Sequence, residues 1–455
     1  MLHFGRISAR HCQGVSRRAL LQAGAVSALG LSLPDVLRLR AVASESRPAK
    51  SMILLWLWGG PSQLDTFDLK PKAPIEYRGP YSPIATNVPG IEISELLPRL
   101  ARRADRYTIL RSLHHGTNDH GLGGTVGLTS YQSGGISLGG QTIPGQLQPT
   151  HGAIVARVRG FRSELPSFVS IGGKLHQGKR AIAGEGGGSL GSLYDPFRLD
   201  YDPEEGVKIP VLEIQEGLSA DTLGSRRRLL REIDTSVRRL DESRTIERLD
   251  GFYQQAFSLL LSPEARQFFD VASEPESLRR KYGRFRFGQC CLMARRLVEA
   301  GVPFVQVNWS SHVEPVEDTG DGGWDMHDRN YPQLQDRHAW MLDQSLSALL
   351  DDLQERGMLD DTLILAVGEF GRTPKINDKA GRDHWEHCYS ALVAGGGLKT
   401  GQVIGASDPL GNYPTTRPMT PGDLAATLYD RLGIGTTQLT QVGLVPPGGL
   451  IEELL

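Results

Sequence analysis

The sequence predicts an α/β protein built around a mostly parallel sheet, and two neighbouring segments carry this prediction. The run from Leu363 to Val367 is apolar without interruption, which is typical of a strand buried on both faces. The segment before it, Ala339 to Met358, has leucines at helical spacing, and Gly357 gives it a typical helix C-terminus. A helix that leads directly into a buried strand is the repeating unit of a parallel sheet.

Other apolar runs of strand length predict the rest of the sheet. They are Ser51 to Trp58, Tyr107 to Ser112, Leu165 to Ile171, Val302 to Val307 and Tyr389 to Ala394. Between the first two runs, Ile93 to Arg103 has the spacing of a short amphipathic helix. Several of the runs end in glycines and polar residues. Because open α/β folds bind ligands at the carboxyl edge of the sheet, we expect the functional site there.

Residues 1–43 predict export of the chain. They contain the pair Arg17 and Arg18, an apolar small-residue segment from Ala19 to Leu33, and a cleavage site at Ala41-Val42-Ala43. These are the parts of a twin-arginine signal, so we expect the twin-arginine translocase to carry the folded chain to the periplasm or out of the cell. The apolar segment is too short for a convincing membrane span, and no later run approaches that length. The mature chain is therefore expected to lack a stable membrane span.

Residues 50–455 are expected to form one large domain that carries an insertion. Apolar residues make up 39% of the chain, enough for a sizeable core. The 50 Lys and Arg residues are balanced by 52 Asp and Glu residues, so no basic excess indicates a nucleic-acid partner. From about Asp221 to Glu299, charged segments with helical periodicity follow one another with no strand between them. We interpret this stretch as a helical insertion over the α/β body.

The densest polar cluster follows the second predicted strand. It contains His114, His115, Thr117, Asn118, Asp119 and His120. Gly116 and Gly121 lie within this cluster, and glycines let a ligand approach the backbone closely. Three histidines beside such glycines indicate a functional site, with His115 and His120 as candidate metal ligands.

Two further groups of ligand-type residues follow predicted strands. Glu369 comes directly after the buried run that ends at Val367, and Asp383 and His384 follow it in the same loop region. Asp325 and His327 follow an earlier strand, and their spacing puts both side chains on the same side of an extended segment. Mixed oxygen and nitrogen donors suit Zn, Mn or Ca better than Cu, so we expect a divalent metal of this group.

The chain resembles the sulfatase and alkaline-phosphatase-like superfamily over nearly all of its mature length. The segments that carry the resemblance are Leu342 to Leu353, Gly357 to Leu365 and Asp423 to Gly433. With the export signal and the segments Gly59 to Asp68, Gly368 to Pro374 and Gly381 to Trp385, the sequence is most similar to the exported bacterial family called domain of unknown function 1501. The resemblance implies an alkaline-phosphatase-like three-layer sandwich.

The resemblance also implies roles for individual residues. The first strand of the superfamily ends in a metal-binding acid, here Asp65, although an Asx turn or a helix cap explains this residue equally well. Glu369 stands where the superfamily has the acid of a metal-binding Asp-His pair, and Phe370 replaces the histidine. Spacing places His120 at the nucleophile position. His120 is therefore a metal ligand, a histidine nucleophile or a sign that the esterase chemistry is lost, and Thr117 is the nearby hydroxyl.

Two functional hypotheses follow. The first is a metal-dependent hydrolase of a phosphate or sulfate ester, acting on a small-molecule or glycan substrate, in which Arg372 binds the oxyanion. The second is a catalytically degenerate member of the superfamily that binds an anionic glycan or another surface ligand. The candidate metal ligands are Asp65, His115, His120, Asp325, His327, Glu369, Asp383 and His384, and the candidate catalytic residues are His120, Thr117 and Arg372.

Overall fold

The computed structural model of the protein describes residues 47–160, 165–177, 180–202, 206–208, 267–309 and 323–455. The predicted export signal at 1–43 and the larger part of the predicted insertion, 221–266, lie outside these residues. Pro48 to Leu455 forms one compact unit. Among the helices described, none is both long enough and apolar enough to cross a membrane.

The strands are numbered in chain order. They are β1 (Ser51–Leu57), β2 (Pro83–Ala85), β3 (Glu92–Ser94), β4 (Tyr107–Leu113), β5 (Phe168–Ile171), β6 (His176–Gln177), β7 (Arg180–Ala181), β8 (Phe197–Asp202), β9 (Gly206–Lys208), β10 (Phe304–Trp309), β11 (Thr362–Val367), β12 (Gly371–Arg372), β13 (His384–Trp385), β14 (Tyr389–Gly395), β15 (Gln402–Ile404), β16 (Ala406–Ser407) and β17 (Pro414–Thr416).

The α-helices are numbered in the same way. They are α1 (Ile75–Arg78), α2 (Pro98–Ala101), α3 (His120–Thr129), α4 (His151–Arg159), α5 (Glu276–Tyr282), α6 (Arg286–Glu299), α7 (Asn330–Gln333), α8 (Ala339–Glu355), α9 (Pro421–Arg431) and α10 (Thr436–Gln441).

A nine-stranded sheet has the order β15-β4-β14-β11-β1-β10-β5-β8-β9. The pairs of β11 with β1, β1 with β10, β10 with β5, β5 with β8 and β15 with β4 are parallel. β14 runs antiparallel to both of its neighbours. The sheet is therefore mostly parallel, as predicted, and all six predicted strands are present within it.

Apolar residues cover both faces of the sheet. Along β1, Ile53, Leu55 and Leu57 face a core that includes residues of α6 and α8, while Met52, Leu54 and Trp56 face a second core with residues of α4 and α9. This alternation is the strand period of two. The architecture is a three-layer α/β sandwich, which confirms the predicted fold class.

Two segments differ from their sequence-based interpretation. Ile93 to Arg103 does not form one helix: its first residues belong to β3, and the four-residue helix α2 begins only at Pro98. Pro98 lacks a backbone N–H and is tolerated at the first helical turn, so it marks a start rather than an interior position. In the described part of the predicted insertion, α6 packs in the same core as β1 and β10. This helix belongs to a layer of the sandwich.

His151, at the start of α4, is buried with both ring nitrogens satisfied. Its Nδ1 accepts a hydrogen bond from the Tyr429 hydroxyl at 2.6 Å, and its Nε2 donates to the Gly127 carbonyl at 3.1 Å. This arrangement holds the neutral imidazole, and burial lowers the pKa of His151 to about 4. The unfolded chain has a histidine pKa of about 6.5.

We expect protonation of His151 to destabilise the fold in mild acid. Between the folded and unfolded pKa values the unfolded chain binds the extra proton, so this stabilisation is lost as the pH falls below about 6.5. The free energy of unfolding of the wild type, measured relative to His151→Gln, should fall by about 2 kcal/mol between pH 7 and pH 5. Urea denaturation of both proteins at the two pH values measures it, and a difference that does not change with pH would contradict it.

Candidate functional site

Loops at the carboxyl ends of four parallel strands meet at one edge of the sheet. They follow β1, β4, β10 and β11 and bring Gly59, His120, Asp325 and Glu369 together. Gly59 has a φ of +104°, and a Cβ at this position would lie 2.2 Å from the backbone nitrogen of Asp325. Only glycine fits here, and its N–H donates to both carboxylate oxygens of Glu369, at 2.9 and 3.1 Å.

His120 lies between two carboxylates. Its Nδ1 is 2.7 Å from Oε1 of Glu369, and its Nε2 is 2.9 Å from Oδ2 of Asp325. Burial opposes protonation of His120, but the hydrogen bonds to Asp325 and Glu369 outweigh it and raise the pKa of the imidazole to about 9. The ring is 1% exposed. In this arrangement neither ring nitrogen is available to attack a substrate.

The second oxygen of Asp325 faces two more histidines. Oδ1 is 3.1 Å from Nε2 of His327 and 3.1 Å from Nε2 of His384, and these two nitrogens are 2.9 Å apart. Ligand atoms around a tetrahedral zinc ion, at bond lengths of about 2.0–2.1 Å, are separated by about 3.3 Å. The three atoms therefore have nearly the separations expected of one face of a coordination sphere.

The outer nitrogens of both histidines are held by oxygen acceptors. Nδ1 of His327 donates to Oδ1 of Asp383 at 2.8 Å, and Nδ1 of His384 donates to the carbonyl of Asn118 at 2.7 Å. Histidines that bind metals usually make such a bond, because it fixes the ring and directs the lone pair of the other nitrogen inward. The donor set fits a divalent cation. His120, Asp325 and His384 also each offer one ligand atom within 4.8 Å of the others.

The site has a buried floor, formed by His120, Asp325, Glu369 and Arg372. Its partly exposed rim is formed by His327, His384 and the Asp325 oxygen that faces them, and the two parts differ in charge. Burial alone would raise the pKa of Asp325, but the Arg372 guanidinium and the surrounding histidines hold it well below the usual range. The hydrogen bond to Asp325 raises the pKa of His327, whereas burial lowers the pKa of His384. The side chains of His327 and His384 are 31% and 18% exposed, so a molecule from solvent can reach this rim.

Arg372 lies beneath the site and is engaged by the protein itself. It donates to Oδ1 of Asp325 at 2.5 Å and to the carbonyls of Gly59, Gly60, Trp324 and Arg382. The residue is 1% exposed. These contacts tie three loops together and keep Asp325 ionised. The structure does not place this guanidinium where it could meet an external oxyanion.

Asp65 lies outside the histidine cluster. Its two oxygens accept hydrogen bonds from Nε and Nη2 of Arg382, at 2.7 and 3.2 Å, and both side chains are fully buried. Ser62 donates a further bond to the same carboxylate at 2.6 Å. Asp65 thus serves as the carboxylate of a buried ion pair, and none of its described contacts is the backbone bond of an Asx turn or a helix cap.

The side chains of His115 and Thr117 make hydrogen bonds within their own loop, and His115 also bonds to the loop that follows β11. Nε2 of His115 donates to the backbone carbonyl of Glu369 at 2.5 Å, and its Nδ1 accepts from the N–H of Thr117 at 3.3 Å. The Thr117 hydroxyl accepts from the N–H of Asp119 at 3.3 Å. His115 thus supports the backbone of Glu369, and the structure brings neither residue into contact with the three donors at the rim.

Sequence reasoning missed one residue of the site. Nε2 of Gln177 donates to Oδ2 of Asp325 at 2.8 Å, and its Oε1 accepts from the Trp58 indole at 3.2 Å. Gln177 lies in a short hairpin with no strand-end pattern before it. Only the flanking Gly178 could have indicated a tight turn, and nothing in the sequence points that turn towards Asp325.

Solved structures that are similar to this chain include enzymes of several activities, all with low identity to it. A sulfatase, PsFucS1 from Pseudoalteromonas sp., has 12% identity and a TM-score of 0.38, with 90% of this chain and 74% of that chain covered. The lipoteichoic acid synthase LtaP from Listeria monocytogenes has 11% identity and a TM-score of 0.35, with coverages of 87% and 78%. The alkaline phosphatase from the Antarctic bacterium TAB5 has 11% identity and a TM-score of 0.35, with coverages of 86% and 100%.

Family-level similarity covers most of the sequence. No curated protein sequence is similar enough to the chain to count as a match. A family model described as protein of unknown function, DUF1501, matches residues 49–447, which include every strand described above. The chain therefore belongs to the DUF1501 family.

Proposed function

We propose that the chain is a metal-dependent hydrolase of phosphate or sulfate esters that acts outside the cytoplasm. The observation that carries the proposal is the pair His327 and His384, whose inner nitrogens converge on Asp325 while Asp383 and Asn118 hold the outer nitrogens. Two imidazoles and a carboxylate favour Zn or Mn over Ca, because Ca prefers oxygen ligands. Bound there, such a cation would supply a Lewis acid that polarises the ester and lowers the pKa of water.

Other residues of the chain would position the metal-binding carboxylate and determine the nucleophile. Asp325 supplies the negative charge, and Arg372 and Gln177 fix its two oxygens. Because both nitrogens of His120 are bound to carboxylates and Thr117 bonds within its loop, we propose water as the nucleophile. The accessible rim would admit a small-molecule or glycan ester.

A second candidate function is supported by the charge balance of the floor. The carboxylates of Asp325 and Glu369 are matched by the Arg372 guanidinium and by His120, whose raised pKa keeps it protonated near neutral pH. Four buried groups thus balance without a cation. A catalytically degenerate protein that binds an anionic glycan or another surface ligand would have this property. Phe370 at the position of the superfamily's histidine also fits this candidate.

A comparison of two histidine variants tests the proposal. His384→Ala removes one rim donor, and we expect it to lower Zn or Mn affinity by about tenfold or more and to lower ester turnover with it. His387→Ala is the matched control, since this histidine lies on the same segment with a 42% exposed side chain and contacts no rim donor. Metal analysis after reconstitution and hydrolysis of p-nitrophenyl phosphate and sulfate are the measurements. Wild-type metal content and turnover in His384→Ala would contradict the proposal. A wild-type protein that binds no metal after reconstitution would favour the catalytically degenerate binding protein.

The location of the protein is part of the proposal and is tested separately. We propose that the twin-arginine translocase exports the folded chain because Arg17 and Arg18 precede an apolar segment and a cleavage site. Changing both arginines to lysine should leave the precursor unprocessed in the cytoplasm. Cell fractionation and immunoblotting measure where the precursor and the mature chain are found. Processing of the variant at the wild-type rate would exclude this route.

A further inference from the structure

The short hairpin β6–β7 is attached directly to the candidate site. Gln177, at the end of β6, donates to Oδ2 of Asp325 at 2.8 Å and accepts from the Trp58 indole at 3.2 Å. These two bonds fix the direction of its side chain. The face of the hairpin that carries Gln177 is therefore the face turned towards the histidine cluster.

Arg180 projects from this same face. Gln177 and Arg180 are antiparallel partners across the hairpin, and directly opposed residues in such a pair have side chains on one side, with Cβ atoms about 4.5–5.5 Å apart. Arg180 is exposed, and within the described residues its guanidinium has neither a hydrogen bond nor an ion pair. Its Nη1 lies beside Gly140, where an added Cβ would be 3.0 Å away.

Gly140 belongs to the loop between α3 and α4. In this loop, the N–H of Leu138 donates to both oxygens of Asp119, at 3.1 and 3.0 Å. Asp119 in turn caps the helix that begins with His120. The Arg180 side chain thus extends from the hairpin to this loop, and both segments are bonded to residues of the candidate site.

The other arginines at the site cannot provide a cation for a substrate. Arg372 and Arg382 are buried and bound to Asp325 and Asp65. An anionic ester that enters the rim passes the exposed carboxylate of Asp383, and repulsion from it would weaken binding. A cation with unused donors next to the rim would offset this repulsion, and a guanidinium fork matches phosphate and sulfate oxygens in geometry.

We propose that Arg180 is the residue that binds the anionic group of the ester, the role that sequence reasoning gave to Arg372. The inference rests on the proposed function for its substrate class. The substrate-binding arginine would then lie on the β6–β7 hairpin and not in the segment that follows β11.

Steady-state kinetics of Arg180→Gln, Arg180→Lys and a control variant test this role. For p-nitrophenyl phosphate or sulfate, Arg180→Gln should raise KM by about tenfold to a hundredfold, since a charge-assisted hydrogen bond is lost. It should also flatten the dependence of KM on ionic strength, which Arg180→Lys should largely retain. Arg102→Gln, at an exposed arginine that follows α2, should behave as the wild type.

Two outcomes separate this inference from the proposed function. If the wild type hydrolyses anionic esters and Arg180→Gln keeps the wild-type KM and salt dependence, the inference is overturned while the proposed function stands. If the wild type hydrolyses no ester, titration calorimetry with inorganic sulfate and phosphate decides instead. Binding that weakens about tenfold or more in Arg180→Gln, but not in Arg102→Gln, would support the anion site, and equal binding by all three proteins would overturn it.

Discussion

Asp325→Asn is expected to lower the affinity for Zn or Mn by about a hundredfold or more and to remove ester turnover with it. The amide keeps the shape of the carboxylate but not its charge. One oxygen of Asp325 faces both rim histidines, and the other is bound by His120 and Gln177. No other described carboxylate contacts both His327 and His384, so nothing replaces the missing charge. Metal titration of the reconstituted protein measures the affinity.

The same substitution has a second expected effect, on stability. It leaves the buried Arg372 guanidinium without its only carboxylate partner in the described structure, and breaking a buried ion pair on one side typically costs about 3–5 kcal/mol. Denaturation of the metal-free proteins should show this loss. Asp378→Asn is the matched control, because Asp378 is an exposed acid in the loop between β12 and β13. If Asp325→Asn binds metal as tightly as the control, the rim is not the metal site.

Sequence patterns predicted the sheet and the edge at which the site lies, for physical reasons that the structure makes clear. A strand such as β11 is buried on both faces, so its composition is apolar whatever surrounds it. Glu369 follows such a strand directly, and the chain has no other place for it than the carboxyl edge. Asp325, His327 and His384 were predicted as candidate ligands because ligand-type residues close together after a strand are uncommon. The structure brings the three side chains together, and their binding of a metal stays a prediction.

The partners of charged residues could not be predicted from the same patterns. Asp65 and Arg382 are separated by 317 positions, and Gln177 and Asp325 by 148. No local spacing encodes such pairs, because they depend on how distant loops pack. Arg372 shows the consequence: an arginine three residues beyond a Gly-flanked acid has the pattern of an anion-binding residue, yet its guanidinium turns inward to backbone carbonyls and Asp325.

Asp65→Asn is expected to lower the free energy of unfolding by about 3–5 kcal/mol while leaving metal stoichiometry unchanged. Removing this charge leaves the Arg382 guanidinium fully buried without a carboxylate, although its bonds to the carbonyls of Tyr77 and Thr373 remain. The surface pair Lys50 and Asp361, with side chains 73% and 39% exposed, provides the control. Asp361→Asn should cost less than about 1 kcal/mol.

The interpretations of Asp65 as a structural acid and as a metal ligand predict opposite metal contents for Asp65→Asn. A structural acid should lose stability and keep its metal, whereas the ligand implied by the superfamily resemblance should lose metal even where the variant remains folded. Metal content is therefore measured on folded protein purified at low temperature, with circular dichroism as the check on folding. If Asp65→Asn is too unstable to purify, Arg382→Lys weakens the same pair by removing its forked geometry while keeping the charge. Loss of metal from folded Asp65→Asn, with metal retained in Arg382→Lys, would return Asp65 to the ligand set. Retention in both would leave the rim of His327, His384 and Asp325 as the site that the sequence and the structure support together.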